Sequence, residues 1–306
     1  MNILIIGLGS IARKHICAIR KLQPYARIYA LRSSEDAEIY EDVQNIYSFQ
    51  ELTIKPDFII ISNPTKMHNE AISQSLVFEC PLFIEKPVLS DLISTDRILK
   101  EINRKRVITY VACNFRFHPA VQFLKGYIDT INSQINEVNV YCGSYLPDWR
   151  PNRDFRITYS ANANMGGGVH LDVIHELDYC FWLFGIPSDV SSKKRSVSSL
   201  HIDAVDYAQF NLLYPSFTAN VTLNYYRRDF KRQIEIVTSE DTLVVDLVKN
   251  RIFSNISGNV LFEQPFDLNE TYLKQMEYFI DHIQKGKQPM NGFAEGVEVL
   301  KIALQE

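Results

Sequence analysis

Short, continuously apolar runs alternate with stretches of helical periodicity in the N-terminal third of the chain. Runs such as Ile3–Ile6, and residues 58–61 of the strand predicted at Asp57–Ile61, are typical of parallel strands that are covered on both faces. Strands that alternate with helices predict a doubly wound parallel sheet, which we expect to span residues 1–117. The other elements predicted here are strands at Arg27–Leu31, Leu82–Ile84 and Val107–Cys113, and helices at about Ser10–Leu22, Lys66–Phe78 and Ser90–Arg104.

A different pattern begins near His118. Residues 217–225 alternate apolar and polar side chains with period two, as in an antiparallel sheet with one covered face. Residues 118–306 are therefore expected to form an α+β domain, whose last helix is a candidate to pack back on the first domain. Its other predicted elements are strands at 138–142, 205–213, 233–238, 242–247 and 251–262 (broken at 257–259), and helices at about 120–131, 166–184, 268–284 and 294–305.

The composition is that of an ordinary globular chain of 306 residues, with a net charge of -4. This balance argues against nucleic-acid binding. The five cysteines are scattered without a CxxC pair, so we expect neither disulfides nor a zinc ribbon, and a reducing cytoplasm fits best. We expect no targeting leader, since no basic region or long apolar stretch lies ahead of the strand at Asn2, and no run approaches the ~18 apolar residues of a membrane span. We therefore expect a cytoplasmic protein with no membrane partner.

The first strand leads into Gly7-Leu8-Gly9-Ser10-Ile11-Ala12, a GxGxxA sequence that opens a helix. In this context Gly7 allows a tight turn, Gly9 lets the backbone approach a pyrophosphate, and Ala12 permits close packing. The helix N-terminus would face the phosphates. The strand, turn and helix together predict a dinucleotide cofactor, bound by Gly7, Gly9, Ser10, Ile11 and Ala12.

Arg32, Ser33 and Ser34 follow the second strand, where a site that prefers NAD usually has an acid. A guanidinium and hydroxyls suit a 2′-phosphate, and a charge-assisted contact of this kind is worth roughly 1.5–3 kcal/mol. We expect NADP, bound in part by Arg32 and Ser33, with NAD as the alternative if Arg32 only stacks on adenine. The other residues expected to line the cofactor are Asn63, Pro64, His68, Glu85 and Lys86.

Lys86 lies between a short apolar strand and Pro87. A proline cannot donate to a sheet ladder, and it pushes the preceding residue out of helical geometry. Lys86 should therefore be extended at the carboxyl end of its strand, where open α/β sheets bind ligands. The alternative interpretation is a solvated surface lysine.

A second polar group opens the helix predicted after Gly166. Residues three apart share a helix face, so Asp172 and His175 can form a base with a carboxylate that orients it. The alternative is a helix start enriched in acids, with His175 as a half-buried core histidine. A metal site that includes His170 and Glu176 is not expected, because His170 lies roughly 200° from Asp172 around a helix and the spacing matches no zinc site.

Four motifs in this order resemble the glucose-fructose oxidoreductase / inositol dehydrogenase / MocA family along essentially the whole chain: Gly7-x-Gly9-x-x-Ala12, Asn63-Pro64-Thr65, Glu85-Lys86-Pro87 and the stretch from Gly166 to Gly185. The resemblance implies an N-terminal Rossmann domain that binds NAD(P). It also implies a C-terminal domain with an open, mostly antiparallel sheet, whose exposed face makes homodimers or homotetramers.

The resemblance also implies roles for single residues. Lys86 would contact the nicotinamide ribose and the substrate hydroxyl, His175 would be the acid/base, and Asp172 would assist. Family members usually have three residues between the aspartate and the histidine, whereas this chain has only Val173 and Ile174. Both spacings keep the two side chains on one helix face.

Residues 145–160 resemble the part of the family that is linked to bacterial surface-polysaccharide sugars. Arginines and aromatic rings there would hold the phosphates and base of a sugar nucleotide, unless the segment is a solvated loop.

We expect an oxidoreductase that moves a hydride between nicotinamide and a ring carbinol of a sugar or nucleotide sugar. The alternatives are a cofactor-bound sensor and an NAD-using lyase or glycosidase. The expected substrate contacts are Lys86, Arg116, Trp149, Arg153, Arg156, Tyr159 and His175.

Overall fold

A computed structural model describes residues 1–36, 38–130 and 132–305. These residues form two compact units. The first unit comprises Met1–Asn114 and Leu268–Leu300, and the second comprises Phe115–Asp267 and the residues from Lys301 onward. The division into functional domains after residue 117 stays a prediction.

Fourteen strands and eight α-helices are assigned within the described residues. The strands are β1 (Asn2–Ile6), β2 (Arg27–Leu31), β3 (Gln44–Ile46), β4 (Phe58–Ile61), β5 (Leu82–Ile84), β6 (Thr109–Val111), β7 (Ile135–Tyr145), β8 (Asp189–Arg195), β9 (Tyr207–Leu213), β10 (Thr218–Asn224), β11 (Tyr226–Thr238), β12 (Thr242–Asp246), β13 (Arg251–Ser254) and β14 (Val260–Glu263). The helices are α1 (Ser10–Leu22), α2 (His68–Ser75), α3 (Thr95–Lys105), α4 (Pro119–Ile128), α5 (Val169–Asp172), α6 (His175–Phe184), α7 (Asn269–Gln284) and α8 (Phe293–Leu304).

The first unit is built on a six-stranded sheet in the order β3-β2-β1-β4-β5-β6. Every neighbouring pair is parallel, which confirms the predicted doubly wound sheet. Residues 3–6 of β1 and all of β4 are buried, as their apolar runs indicate. The strand order reverses between β1 and β4, and open α/β sheets bind ligands beyond the carboxyl ends of strands at such a point.

The second unit contains an eight-stranded sheet in the order β14-β13-β12-β11-β7-β10-β9-β8. Only β7 and β10 pair in parallel, so the sheet is mostly antiparallel, as predicted. In the middle of the sheet Val221 of β10 pairs with Val140 and Phe210, and all three are buried. The alternate positions, such as Asn220 and Thr222, are half-exposed and form a polar face.

Several boundaries differ from the predictions for local reasons. The helix predicted from Ser90 begins at Thr95, because Asp91 accepts a hydrogen bond from the Ile93 N–H and forms a turn there. The predicted end of another helix, Ile131, lies outside the described residues, and α4 ends at Ile128. The sequence analysis missed β3 and the polar strand β8, which lie at the edges of the two sheets.

The helices described here are too short or too polar to cross a lipid bilayer.

Candidate active site

The turn between β1 and α1 leaves room for a phosphate group. Gly7 has a φ of +86°, and a Cβ atom there would lie 2.6 Å from Cα of Asn63, so only glycine fits. At Gly9, by contrast, an added Cβ would meet no heavy atom within 4 Å. No side chain of the described residues caps α1, so its first backbone N–H groups remain available to an anion.

Asn63 faces this turn from the end of β4. Its Oδ1 is buried and has no hydrogen-bond partner in the described part of the chain. Ser62 donates a hydrogen bond of 2.7 Å to the carbonyl of Gly7, which holds the two turns together. An orphaned acceptor beside an open helix N-terminus fits the hydroxyl and amide donors of a dinucleotide. The expected cofactor residues therefore suit NAD(P).

Arg32 lies directly after β2, as expected, and its guanidinium is held in place. Nη1 donates to the carbonyl of Glu38 at 3.1 Å and to Oδ1 of Asn45 at 3.3 Å. Glu38 also pairs with Arg13 of α1 at 3.2 Å, and Ser33 is exposed. The sequence analysis did not identify Glu38, since it lies beyond the short window in which a ribose-binding acid was sought.

Glu85 and His68 hold the turn at Lys86 from inside. Glu85 is buried, and its carboxylate contacts His15 at 2.6 Å and accepts the Lys86 N–H at 3.1 Å. His68 is also buried, and its ring nitrogens lie 3.0 and 3.2 Å from the carbonyls of Asn63 and Val88. Both side chains thus position this turn, and their predicted contact with the cofactor stays a prediction.

Lys86 is half-buried at the end of β5, and the Lys86–Pro87 peptide bond is cis. This is the position predicted for it at the carboxyl edge of the sheet. Its contact with nicotinamide and substrate stays a prediction.

The helix predicted through Asp172 and His175 is broken between them. Helix α5 ends at Asp172, Val173 has φ of −106° and ψ of 35°, and α6 begins at His175. The predicted shared face of one continuous helix is therefore wrong. Both side chains are almost fully buried, at 8% and 9% exposure.

A tyrosine that the sequence analysis missed holds Asp172. The hydroxyl of Tyr225, which is fully buried after β10, donates to Oδ2 of Asp172 at 2.6 Å. Burial and the nearby Asp172 charge raise the pKa of Tyr225 well above its ordinary value, so it stays a neutral donor. The sequence does contain a signal for this role. Tyr225 is the last of the apolar side chains that alternate along residues 217–225, and a buried tyrosine hydroxyl needs a hydrogen-bond partner.

Two of the expected substrate residues lie around this tyrosine. The indole of Trp149 contacts the Tyr225 ring edge-on, with 5.4 Å between centroids, and donates to Oγ of Ser144 at 3.1 Å. Burial and the Asp172 charge also raise the pKa of Tyr159. The structure thus brings Trp149 and Tyr159 together near Asp172, through Tyr225.

The three predicted substrate arginines differ in their surroundings. Arg153 and Arg156 are exposed, and Arg156 lies 3.5 Å from Asp154. Arg116 is fully buried and bonds Asp178 through two nitrogens, at 2.9 and 2.7 Å. Its guanidinium is thus engaged inside the second unit, and the expected substrate contact by Arg116 stays a prediction.

His175 packs against an aromatic ring that is covered by a buried ion pair. Glu176 bonds Arg232 at 2.5 and 3.1 Å, and the Arg232 guanidinium lies 3.8 Å above the ring of Phe115. That ring is 5.1 Å from the ring of His175. Within residues 1–36, 38–130 and 132–305, no group of three or more His, Cys, Asp or Glu side chains has the arrangement of a metal site.

Comparison with known proteins places both parts of the chain in one family. Residues 1–113 match the model of an oxidoreductase family with an NAD-binding Rossmann fold, and residues 132–244 match the GFO/IDH/MocA C-terminal domain. The chain is 23% identical over 313 residues to myo-inositol 2-dehydrogenase of Thermotoga maritima, an alignment that covers 94% of this chain and 90% of that protein.

Two solved structures share the fold. UDP-N-acetylglucosamine 3-dehydrogenase GnnA from Acidithiobacillus ferrooxidans superposes with a TM-score of 0.81 at 20% identity, over 99% of this chain and 95% of that one. The WlbA dehydrogenase from Bordetella pertussis, in complex with NADH and UDP-GlcNAcA, superposes with a TM-score of 0.80 at 18% identity, over 99% and 93%. Since both family models match in chain order, the chain belongs to the GFO/IDH/MocA family of oxidoreductases, with an NAD-binding Rossmann fold at its N-terminus.

Proposed function

We propose that the protein is a dehydrogenase that transfers a hydride between the nicotinamide of NAD(P) and a ring carbinol of a sugar or nucleotide sugar. The observation that carries this proposal is the buried pair of Asp172 and Tyr225, with the buried His175 three residues further along the chain, in a protein with a dinucleotide turn at Gly7 and Gly9. A protein that only sensed the cofactor would have no use for a buried acid/base group.

In this proposal four residues of the chain have separate tasks. The nicotinamide, when bound, accepts or supplies the hydride. Oxidation of a secondary alcohol also releases the hydroxyl proton, which we assign to the imidazole of His175. The Lys86 ammonium stabilises the developing alkoxide charge. Tyr225 holds the Asp172 carboxylate, which assists His175.

NADP is the cofactor that we favour, because Arg32 carries a fixed positive charge after β2. Removing it in Arg32→Ala should raise KM for NADP by about 10- to 100-fold and leave KM for NAD within about threefold. Equal effects on both cofactors would favour NAD with Arg32 stacked on adenine. Several structural neighbours are complexes with NAD⁺ or NADH.

A sugar nucleotide is the substrate class that we favour for this site, in bacterial surface-polysaccharide metabolism. Two structural relatives are named for or bound to UDP-sugars. Trp149 offers an aromatic ring, and Arg153 and Arg156 offer exposed guanidinium groups for phosphates. Free polyols remain the second class, because an inositol dehydrogenase aligns with most of the sequence.

A screen of nucleotide sugars and free polyols, run with NAD and NADP, tests the proposal. We expect one substrate class to change the absorbance of the reduced nicotinamide band. Substrate conversion without release of reduced cofactor would favour the lyase or glycosidase alternative. Cofactor binding with no conversion of any compound would favour the sensor.

We further propose that the enzyme works in the cytoplasm as a homodimer or homotetramer. The five cysteines are free thiols, which suits a reducing compartment. The half-exposed polar face of the second unit's sheet supplies the subunit contact.

A further inference from the structure

His15 and Glu85 form a buried polar pair within the first unit. Nε2 of His15 lies 2.6 Å from Oε1 of Glu85, and their side chains are 0% and 9% exposed. The imidazole also packs edge-on against Phe83 and Tyr272, with 4.8 and 6.1 Å between ring centroids. The pair thus lies in an aromatic pocket between α1 and the turn that carries Lys86.

The second oxygen of Glu85 extends this contact to the backbone of Lys86. Oε2 accepts the Lys86 N–H at 3.1 Å, while the Glu85 N–H donates to the carbonyl of Ile61 at 2.9 Å. The main chain at Glu85 therefore continues the ladder of β5. The Glu85 side chain is buried, whereas Lys86 is half-buried.

The stability of the packed interior does not explain why a polar pair is present here. A buried polar contact contributes little net stability, since folding exchanges hydrogen bonds to water for hydrogen bonds within the protein. Nδ1 of His15 is also buried without a hydrogen-bond partner among the described residues, which adds a cost. A buried polar pair that also bonds the backbone of Lys86 is therefore better explained by the placement of that lysine.

We propose that His15 is a positioning residue for Lys86, and that it acts through the carboxylate of Glu85. It fixes the backbone at Lys86 relative to α1, the helix whose N-terminus is open to a phosphate. The inference rests on the function proposed above, in which Lys86 contacts the reacting hydroxyl. His68 supports the same turn from α2, through the carbonyl of Val88.

Three variants separate this role from packing. His15→Leu keeps apolar volume but removes the donor, His15→Gln keeps a donor, and Glu85→Gln keeps an acceptor for His15 but puts an amide near the Lys86 N–H. The control is His201→Gln, at an exposed histidine. The measurements are kcat, the NADPH dissociation constant by fluorescence, and the rate at which N-hydroxysuccinimidyl acetate acetylates Lys86, followed by mass spectrometry.

We expect His15→Leu and Glu85→Gln to lower kcat by about 10- to 100-fold, because small displacements of a reacting group cost that much. NADPH affinity should change by less than about threefold, and the acetylation rate of Lys86 by more than about threefold. His15→Gln should be close to the wild type in all three.

Wild-type kcat and acetylation in His15→Leu would overturn the inference, as would equal losses in His15→Leu and His15→Gln. If His15→Leu fails to fold, Glu85→Gln decides in the same way. If the wild-type enzyme oxidises no sugar, the proposed function fails. The acetylation rates then still show whether the His15–Glu85 pair places Lys86.

Discussion

Gly7 and Gly9 lie two residues apart, but a methyl group would meet different surroundings at each. At Gly9 the backbone has φ of −92° and an added Cβ touches nothing. We expect Gly9→Ala to change the free energy of unfolding by less than about 1 kcal/mol, yet to weaken NADPH binding by about 10- to 100-fold because the methyl group fills the phosphate space. Fluorescence titration and thermal melting measure the two effects.

Gly7→Ala is the matched comparison. Its positive φ and the 2.6 Å approach to Asn63 predict a loss of more than about 2 kcal/mol in stability, in addition to lost cofactor binding. Wild-type cofactor affinity in Gly9→Ala would contradict the assignment of this turn to the phosphates.

The assigned base His175 gives the most direct kinetic prediction. We expect His175→Asn to lower kcat by about 10²- to 10⁴-fold, because general-base catalysis contributes that much. NADPH affinity should stay near the wild-type value, since the residue is not among those assigned to the cofactor. His201→Asn, at an exposed histidine with φ of 50°, is the control for kcat and binding. An unchanged kcat on the true substrate would remove His175 from the mechanism.

His118 links stability to pH. It is fully buried, and burial lowers its pKa to about 4, although its Nε2 contacts the carbonyl of Leu247 at 3.0 Å. The unfolded chain would bind a proton near pH 6.5 while the folded chain stays neutral down to about pH 4. Stability should therefore fall on acidification through this window, by about 1.4 kcal/mol per pH unit and about 3 kcal/mol in total for this residue.

Urea unfolding between pH 4 and 7 measures this dependence. Both tryptophans, Trp149 and Trp182, belong to the second unit, so their fluorescence reports the unit that contains His118. His118→Gln keeps a donor for the Leu247 carbonyl. It should reduce the slope of the free energy of unfolding against pH by the equivalent of about one proton taken up on unfolding. The same slope in the variant would contradict the prediction.

Helix α6 carries a carboxylate in the protein interior, and a buried arginine compensates its charge. Asp178 and Arg116 are both fully buried and bonded to each other at 2.7 and 2.9 Å. Asp178→Asn leaves an uncompensated buried guanidinium, so we expect a loss of about 3–5 kcal/mol in the free energy of unfolding. The double variant Arg116→Met/Asp178→Leu should recover most of that loss. Urea unfolding followed by Trp182, whose ring lies 5.9 Å from Arg116, measures both.

Recovery in the double variant would show that the pair is not required for folding. A double variant as unstable as Asp178→Asn would instead show that the two side chains contribute through packing that Met and Leu cannot replace.

The sequence predicted those helices and strands whose ends are marked by residues close to them in the chain. The bounds of α1, β2 and β5 agree with the structure, because apolar runs, Gly9 and Pro87 mark them in the sequence. The break between α5 and α6 was not predicted, since Val173 and Ile174 carry no helix-breaking signal. It coincides with a long-range contact, the hydroxyl of Tyr225 on Asp172.

The same distinction applies to the candidate site. The turn at Gly7 and the strand end at Lys86 follow from residues adjacent in sequence. Arg116 was expected to contact the substrate, whereas in the structure it pairs with Asp178, 62 positions away in the sequence. Periodicity carries no information on such partners, so Tyr225 and His15 were missed for the same reason.

The polar face of the second unit's sheet predicts how whole molecules associate. Thr222 of β10 lies between Tyr141 and Gln209 on neighbouring strands, at the centre of a face of mostly uncharged side chains. A stable interface buries about 800 Å² on each subunit and tolerates few charges at its core. We expect the wild-type protein to be a dimer or tetramer, and Thr222→Arg to shift its mass by light scattering towards the 35.4 kDa subunit.

Thr53→Arg adds the same charge at an exposed threonine of the first unit and should leave the oligomer intact. Tryptophan fluorescence must show that Thr222→Arg is folded, because Thr222 is also a strand residue. An arginine there costs binding through desolvation of its charge at a buried contact, so dissociation should be stronger at low protein concentration. A wild-type monomer at micromolar concentration, or a folded Thr222→Arg oligomer, would place the subunit contact elsewhere than on this face.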